Sequence, residues 1–378
     1  MAFLEFDNIS IAALAAAVPE NIQTLDGVTT IDADQVRSFQ KYTGVMQRHI
    51  SVTKQTALDL GCAAAQRALK RAQWDVGSLD ALIFMSQTPD FNAGTGNAFL
   101  AHYILGLRED VMAFDIPLAC SSFPYGLSVC SALLQQASIN RILMISGDTQ
   151  WHFYEEGIPV ASADGRFMFG EASTAILLEK NENSLPIHIS LSTDGSGYKY
   201  LFNPLGGCRN AWEKKQAFML PNGDVYTPSG KFGYMDGIEI TSFSTTKVVS
   251  DIQKFLNRTS MPIAAFDAVI LHQANKQIIK TIAKRLKVDT NKVPLSLDRY
   301  GNTSGASTTL TIADAFAGSE KENISLLLSA FGTGLSWGIA TLNIRSAAIE
   351  PVFTCNDRFE EGFVQPCTAT PSAQESAQ

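Results

Sequence analysis

Short apolar runs alternate with helical segments along most of this chain. Runs such as Ala81–Met85, Arg141–Ser146 and Ala268–Leu271 have the length of strands, while Asn97–Leu105 and Lys276–Leu286 have helical spacing. Strands that alternate with helices favour a largely parallel sheet that is covered by helices on both faces. The pattern therefore predicts an α/β protein.

The alternation occurs twice, and a polar stretch at residues 181–186 lies between the two series. We predict an N-terminal half at residues 1–180 and a C-terminal half at residues 181–345. The extension at residues 346–378 is weakly patterned and contains Pro, Ser, Thr and Gln, which predicts that it is partly flexible.

Composition narrows the class of protein. Charged residues are only 17% of the 378, which indicates several buried layers or a large subunit interface. The net charge is -8 and there is no basic stripe, so nothing favours nucleic-acid binding. No apolar run approaches the ~20 residues of a membrane span, and no signal peptide is recognisable. The six cysteines are scattered without a Cys-x-x-Cys pair, which predicts reduced thiols and a cytoplasmic location.

Cys120 lies at a bend between two predicted elements. The run Val111–Leu118 predicts a buried strand, and Gly126–Gln136 predicts a buried helix. A cysteine at the beginning of a helix lies near unpaired N–H groups that favour a thiolate. Most free cysteines are simply buried, however, so this position alone favours a structural role.

Two polar motifs further along the chain change that balance. His272-Gln-Ala-Asn275 follows an apolar strand, and Tyr300-Gly-Asn302-Thr-Ser304 precedes a helix. A single histidine at a strand end is usually structural, and a Gly-Asn pair usually forms a turn. Because parallel sheets carry their sites at the carboxyl ends of strands, the joint occurrence of these motifs with Cys120 favours an active site.

These motifs resemble those of thiolase-superfamily condensing enzymes, specifically the beta-ketoacyl-acyl-carrier-protein synthase III type. The resemblance extends from about Phe6 to Ile344. The matching segments are Tyr42-Thr-Gly44, Arg48-His-Ile50, Ala113-Phe-Asp115, Cys120-Ser-Ser-Phe-Pro-Tyr-Gly126, Phe169-Gly170, Asp194-Gly195, His272-Gln-Ala-Asn275, Leu297-Asp-Arg-Tyr-Gly-Asn-Thr-Ser304 and Phe331-Gly-Thr-Gly-Leu-Ser-Trp-Gly338. The resemblance implies a thiolase-like fold, in which two duplicated mixed α/β halves form a layered αβαβα core.

The resemblance also implies a catalytic set of Cys120, His272 and Asn302. Cys120 would take up an acyl group, and His272 and Asn302 would stabilise the charge that develops when a malonyl thioester loses carbon dioxide. The backbone N–H groups of Cys120 and Thr333 would form the oxyanion hole for the condensation. No metal, nicotinamide or flavin would be required.

Further expectations follow from the same resemblance. Phe91, Phe123 and Phe331 would shape the acyl pocket, although packing in the core is the ordinary role of such residues. The partner would be an acyl-carrier protein that contacts a basic helix face. The residues of this face are Lys276, Lys280, Lys284 and Arg285. The ordinary alternative is that these side chains are only solvated. The chain would form a homodimer.

The chain departs from the family where coenzyme A usually binds. Ser38 and Tyr42 occupy the region of a stacking Trp, and Arg166 is out of register with a family Arg. The acyl donor would therefore be an acyl-carrier protein, or an acyl-coenzyme A that other aromatics such as Trp151 or Trp212 hold. A specialised lipid, polyketide or surface-glycan pathway becomes plausible.

Two other functions stay open. The chain could be an acyltransferase that passes the Cys120-bound group to an oxygen or nitrogen nucleophile, or a non-catalytic scaffold for a related enzyme. Degradative thiolases need a second cysteine near Phe331–Gly338, and the segment has none. Elongating synthases use two histidines, whereas Asn302 takes the second place here. The loop Gln87–Gly96 contains Asp90 but no glutamate base of the hydroxymethylglutaryl-coenzyme A synthase kind.

Overall fold

The structure is a computed structural model that describes residues 2–25, 32–51, 54–91, 94–149, 165–210, 217–221, 223–226 and 233–362. The helices in these residues are α1 (Ala33–Thr43), α2 (Ala57–Ala72), α3 (Asn97–Leu105), α4 (Ser122–Leu134), α5 (Gly165–Met168), α6 (Gly237–Thr259), α7 (Lys276–Leu286), α8 (Leu297–Tyr300) and α9 (Ser307–Phe316). The strands are β1 (Ala2–Phe6), β2 (Ile9–Pro19), β3 (Ile22–Thr24), β4 (Gln47–His49), β5 (Ala81–Met85), β6 (Met112–Ile116), β7 (Arg141–Asp148), β8 (Ala172–Lys180), β9 (Ile187–Thr193), β10 (Leu201–Phe202), β11 (Phe218–Met219), β12 (Val225–Tyr226), β13 (Tyr234–Met235), β14 (Ala268–Leu271), β15 (Asn323–Gly332), β16 (Ser336–Arg345) and β17 (Phe353–Cys355).

Two large sheets form the centre of the molecule. A six-stranded sheet has the order β17-β2-β8-β7-β5-β6, and a five-stranded sheet has the order β1-β9-β16-β15-β14. Within them β5 pairs in parallel with β6 and β7, and β14 pairs in parallel with β15. Most remaining pairs, such as β7 with β8 and β15 with β16, are antiparallel. The expectation of a largely parallel sheet is therefore wrong, because each half adds antiparallel strands to a short parallel core.

Three apolar cores separate five layers. One core lies between α2, α3 and the six-stranded sheet. A second contains residues of both sheets together with α4 and α9, so these two helices lie in the middle layer. The third packs α6 and α7 against the outer face of the five-stranded sheet. This αβαβα order is the layered core that the resemblance implies.

Many of the predicted elements have the expected bounds, but the elements around Cys120 differ. α4 begins at Ser122, four residues earlier than predicted, so Cys120 lies just before its first turn. The strand before Cys120 is β6, which was predicted to be buried. It is the edge strand of its sheet and its residues are only partly buried, because no described strand covers its outer side.

Both ends of the described chain cross to the opposite half. β1 pairs with β9 in the five-stranded sheet, and β17 of the extension pairs with β2 in the six-stranded sheet. Residues 363–378 lie outside the described residues. The division at residues 180 and 181 coincides with the turn between β8 and β9 and stays a prediction. No described helix combines the length and the apolarity that crossing a bilayer requires.

Candidate active site

Three parallel strands of the six-stranded sheet bring their carboxyl ends together. β5 is followed by Ser86 and Thr88, β6 is followed by Cys120, and β7 ends at Asp148. In the other sheet the parallel strands β14 and β15 are followed by His272 and Thr333. The predicted residues thus lie where α/β folds place their sites.

Cys120 is half-buried and packs directly against Gly332, the last residue of β15. A Cβ atom added to Gly332 would lie 2.5 Å from the Cβ atom of Cys120, so only glycine permits this approach. Burial raises the pKa of the Cys120 thiol to about 12, although a hydrogen bond with Ser304 opposes that shift. The thiol is therefore protonated at neutral pH in the free protein, and its activation requires help from neighbouring groups.

The Asn302 motif lies against Cys120 through Ser304. The Sγ atom of Cys120 is 3.8 Å from the Oγ atom of Ser304. The backbone N–H of Ser304 donates to Oδ1 of Asn302 at 3.0 Å. The backbone of Asn302 is itself fixed, since its N–H donates to the Met168 carbonyl at 2.8 Å. Because Oδ1 already accepts a bond, the NH₂ group is the end of the amide that remains to donate.

His272 is buried behind this arrangement. Its Nδ1 atom is 2.7 Å from the Oγ atom of Ser307, and its ring packs edge-on against Phe331 with ring centroids 5.4 Å apart. Burial lowers the pKa of His272 to about 3. The imidazole is therefore neutral and carries one ring proton at physiological pH.

Asp148 is the most deeply buried carboxyl beside Cys120. Its Oδ1 atom accepts hydrogen bonds from the N–H of Gln87 at 2.8 Å and from the hydroxyls of Ser86 at 3.0 Å and Thr88 at 3.2 Å. Its other oxygen lies 3.5 Å from the N–H of Gly305. Burial raises the pKa of Asp148, whereas these donors oppose the shift.

A cavity of about 860 Å³ opens onto the thiol. The residues that line it are Gln87, Thr88, Pro89, Asp90, Pro117, Leu118, Ala119, Cys120, Asp148, Phe169, Tyr198, Leu201, Phe202, Asn203, Gly233, Met235, Ser304, Thr333 and Gly334. Polar and apolar side chains both line it. Cys120 and Thr333 line the cavity, whereas His272 and Asn302 are buried and are not among its lining residues.

The three predicted pocket aromatics lie elsewhere. Phe123 is buried in the middle core, Phe331 packs against His272, and Phe91 is 39% exposed. None of them lines the cavity, and their proposed role in the acyl pocket stays a prediction. The aromatic side chains that do line it are Phe169, Tyr198 and Phe202.

The predicted basic face belongs to α7. Lys280, Lys284 and Arg285 are exposed and Lys276 is half-buried. The end of α1 packs against the start of α7, as a Cβ on Gly44 would approach the Cβ of Lys276 to 2.7 Å. At the altered coenzyme A positions, Ser38 is exposed and Tyr42 is 52% exposed. Trp151, Trp212 and the side chain of Arg166 lie outside the described residues.

Sequence reasoning missed Asp148, Ser304 and Ser307 as site residues. Asp148 ends a strand that is parallel to the strand before Cys120, so the rule that singled out Cys120 and His272 also applied to it. Ser304 and Ser307 were visible in the Asn302 motif. Only the folded geometry shows that they touch Cys120 and His272.

Comparisons with known proteins identify the family of this chain. The family model of 3-oxoacyl-[acyl-carrier-protein] synthase III matches residues 114–195, and the model of its C-terminal part matches residues 256–344. A beta-ketoacyl-[acyl-carrier-protein] synthase III of Chlamydia caviae is 31% identical over 340 residues, which is 88% of this chain and 96% of the relative. The chain belongs to this family. It is accordingly a condensing enzyme of the acyltransferase class.

Other synthases III extend the comparison. The enzyme of a Nostoc species is 28% identical over 335 residues, covering 88% of this chain and 97% of the relative. The crystal structure of a 3-oxoacyl-(acyl-carrier protein) synthase from Burkholderia xenovorans superposes with a TM-score of 0.84 at 28% identity, covering 94% of this chain and 99% of that one. The thiolase-like fold is thereby confirmed for this synthase III.

Proposed function

We propose that this enzyme loads an acyl group on Cys120 and then condenses it with a malonyl thioester on an acyl-carrier protein. Thiol addition to the incoming thioester forms the acyl-Cys120 bond and releases the donor thiol. Decarboxylation of the malonyl group supplies the carbanion, which attacks the acyl carbonyl and returns Cys120 to its free form. The products are carbon dioxide and a 3-oxoacyl thioester.

His272 and Asn302 donate hydrogen bonds to the malonyl carbonyl oxygen during decarboxylation. Asn302 is suited to this role because its Oδ1 atom accepts from Ser304, leaving its NH₂ group to donate. For His272 we propose that the Ser307 hydroxyl, 2.7 Å from Nδ1, donates to that atom, so that the single ring proton lies on Nε2. A neutral imidazole then acts as a hydrogen-bond donor and not as a general base.

The backbone N–H groups of Cys120 and Thr333 stabilise the oxyanion of the condensation step. The loop that carries Thr333 is held by a bond from the Ser336 hydroxyl to the Thr333 carbonyl at 2.6 Å and by Gln87, which donates to the Thr333 hydroxyl at 3.1 Å. Preorganised donors of this kind cost no rearrangement when charge develops.

One observation carries the proposal. Cys120 opens into the cavity and contacts Ser304, whose N–H is bonded to Asn302. It also packs against Gly332, the neighbour of Phe331, whose ring packs on His272. A scaffold subunit would have no need for a thiol at the bottom of a cavity.

Intact mass spectrometry tests this function. The protein is exposed to acyl-coenzyme A and acyl-carrier donors, and malonyl-carrier protein is added second. We expect an acyl adduct that disappears as a 3-oxoacyl product forms, is absent from Cys120→Ser and persists in Cys208→Ser, which alters an exposed thiol elsewhere. An adduct that malonyl-carrier protein leaves unchanged would instead support transfer to an oxygen or nitrogen nucleophile.

The exposed cations of α7 are the proposed contact for the acidic carrier protein. They stand out against a net charge of -8. We expect Lys280→Glu with Lys284→Glu to raise the KM for carrier-bound malonate while the alkylation rate of Cys120 is unchanged. Lys70→Glu on α2, an exposed lysine on another layer, is the matched control. An unchanged KM in the double variant would contradict this contact.

A homodimer through β6 and α3 is also proposed. β6 is an edge strand, and Phe99 and Tyr103 on the adjoining α3 are 53% and 64% exposed. Exposed edges and apolar clusters are typical of subunit contacts. Light scattering is expected to show a dimer that Phe99→Glu dissociates and that Leu185→Glu, at an exposed leucine elsewhere, leaves intact. A monomeric wild type would contradict the assembly.

The pathway and the cellular location remain predictions. A specialised lipid, polyketide or surface-glycan pathway rests on the altered positions Ser38 and Tyr42, which leave the acyl donor to be named by the mass experiment. A cytoplasmic location is supported by the cysteines of the described chain, all of which are free.

A further inference from the structure

Two buried serines connect the segment that carries Cys120 to the turn that carries Thr333. Ser121 follows Cys120 directly, and Ser336 is the first residue of β16. Their Oγ atoms lie 2.6 Å apart, and the two residues are 1% and 5% exposed. The hydroxyl of Ser336 also donates to the Thr333 carbonyl at 2.6 Å. The two segments that supply the proposed oxyanion donors are therefore joined by hydrogen bonds as well as by packing.

The direction of both bonds follows from the number of protons. A carbonyl oxygen only accepts, so the single hydroxyl proton of Ser336 is used in the bond to Thr333. The proton between the two serines then comes from Ser121, and the Ser336 oxygen accepts it. Hydroxyls that are linked in this way polarise one another and strengthen both bonds. Ser121, Ser336 and the Thr333 carbonyl thus form a continuous hydroxyl bridge.

On one side, the hydroxyl bridge holds a very short turn. β15 and β16 are paired up to their ends, so the turn between them has only three residues, 333–335. Its last residue, Leu335, is held to Asp194 by two backbone hydrogen bonds of 2.8 and 3.0 Å. The carbonyl of its first residue, Thr333, is held by Ser336. Because both ends of the turn are anchored, the direction of the Thr333 N–H is fixed.

On the other side, the hydroxyl bridge reaches Cys120 through the start of α4. The N–H of Ser122 donates to the Ala119 carbonyl at 2.8 Å, which closes the bend around Cys120. Ser121 is the N-cap residue of α4, but its side chain makes no capping bond and is used in the bridge instead. Within the described residues, neither of the N–H groups proposed for the oxyanion hole donates to another residue. Both are therefore available to a ligand oxygen.

We propose that Ser121 and Ser336 are positioning residues that hold the two oxyanion donors at one separation. Neither serine is among the residues that line the cavity, so each acts through the backbone of its neighbour. Without the hydroxyl bridge, the turn after β15 and the bend before α4 move independently, and the two N–H groups converge on one oxygen for less of the time. The hydroxyl bridge thus serves steps in which an oxyanion develops, and not other reactions of the thiol.

This inference rests on the proposed function, and two reactions of the same thiol separate them. Iodoacetamide forms an S–C bond at a saturated carbon and releases iodide, so no oxyanion develops. Thioesters of N-acetylcysteamine, with acyl groups from acetyl to decanoyl, acylate a thiol through a tetrahedral oxyanion. Peptide mass mapping of the full-length enzyme gives the rates of both reactions at Cys120 alone.

The variants differ in how much of the hydroxyl bridge they remove. Ser336→Ala removes both bonds and is expected to lower the acylation rate about 10- to 100-fold, while the alkylation rate changes by less than about twofold. Ser121→Ala leaves Ser336 bonded to Thr333, so its loss should be smaller. Adding it to Ser336→Ala should cause no further loss, because the bond between the serines is already gone. Ser336→Thr keeps the hydroxyl and is expected to restore most of the acylation rate.

Ser131→Ala is the matched control. Ser131 is another buried serine of α4, and its hydroxyl has no hydrogen-bond partner among the described residues, so the ratio of acylation to alkylation should be unchanged. A wild-type ratio in both Ser336→Ala and Ser121→Ala would overturn the positioning role and leave the proposed function standing. A wild-type Cys120 that is alkylated but accepts no acyl group would contradict the proposed function, and the positioning role with it.

Discussion

Replacing Gly332 by alanine should damage the active site in a manner that the structure quantifies. The added Cβ would lie 2.5 Å from the Cβ of Cys120, about 1 Å closer than ordinary carbon–carbon contact. Overpacking of this kind costs about 1–3 kcal/mol in the free energy of unfolding. A displacement of about 1 Å at a reacting group costs on the order of 10²-fold in rate. We expect both losses in Gly332→Ala.

The measurements are chemical unfolding, the alkylation rate of Cys120 and the condensation rate. Gly207→Ala is the control, because a Cβ at that position would meet no atom within 4 Å. Cys120→Gly in the Gly332→Ala background removes the second Cβ, so the unfolding penalties of the two substitutions should not add. If Gly332→Ala unfolds and reacts as the wild type does, the close packing of Gly332 against Cys120 is refuted.

Three more outcomes follow from the site. His272→Ala should slow malonyl decarboxylation about 10²–10³-fold while Cys120 is still acylated, because an oxyanion donor is lost. If acylation and decarboxylation slowed equally, the assignment of His272 to the decarboxylation step would be contradicted. Ser307→Ala should slow decarboxylation without altering Cys120 alkylation, since the ring proton of His272 is no longer held on Nε2; unchanged decarboxylation would argue against the assignment of this proton. Burial, reinforced by Asp59, raises the pKa of Asp90 to about 7, so the folded state holds this proton more tightly than the unfolded chain. The stability that the protonated form confers is lost as pH rises from about 4 to 7. Over this range the free energy of unfolding of Asp90→Asn, measured in urea, should increase relative to that of the wild type by up to about 1.4 kcal/mol per pH unit. A difference between the two proteins that does not change with pH would exclude this titration.

Local patterns predicted the elements of the fold with some accuracy. The bounds of β5, α3, β14 and α7 agree with the apolar runs and helical spacing from which they were predicted. Whether neighbouring strands run parallel or antiparallel was not predictable in this way. The hydrophobic periodicity of a strand reports its burial and not the direction of the strand beside it. The exposed edge of β6 was missed for the same reason: its apolar side chains suit a buried strand equally well.

The candidate site shows a similar division. Cys120, His272 and Asn302 were predicted because each belongs to a motif at a strand end or helix start. Asp148 has no motif around it, and its four donors come from segments that are distant in the sequence, such as Ser86 and Gly305. The cavity wall was also missed, since Tyr198, Phe202 and Met235 lie between β9 and α6, in a segment whose packing no local pattern specifies.

The exchange of terminal strands constrains the order in which this protein can fold during synthesis. β1 cannot pair until β9 has been synthesised, since Ala2 pairs with Leu191. The six-stranded sheet is incomplete until β17 has been synthesised, since Pro19 pairs with Cys355. Contacts this distant in sequence slow folding and leave strand edges open while the ribosome is still translating. The N-terminal half therefore leaves the ribosome with the outer edge of β2 uncovered, and a nascent chain halted near residue 345 should depend on chaperones more than one released after residue 362.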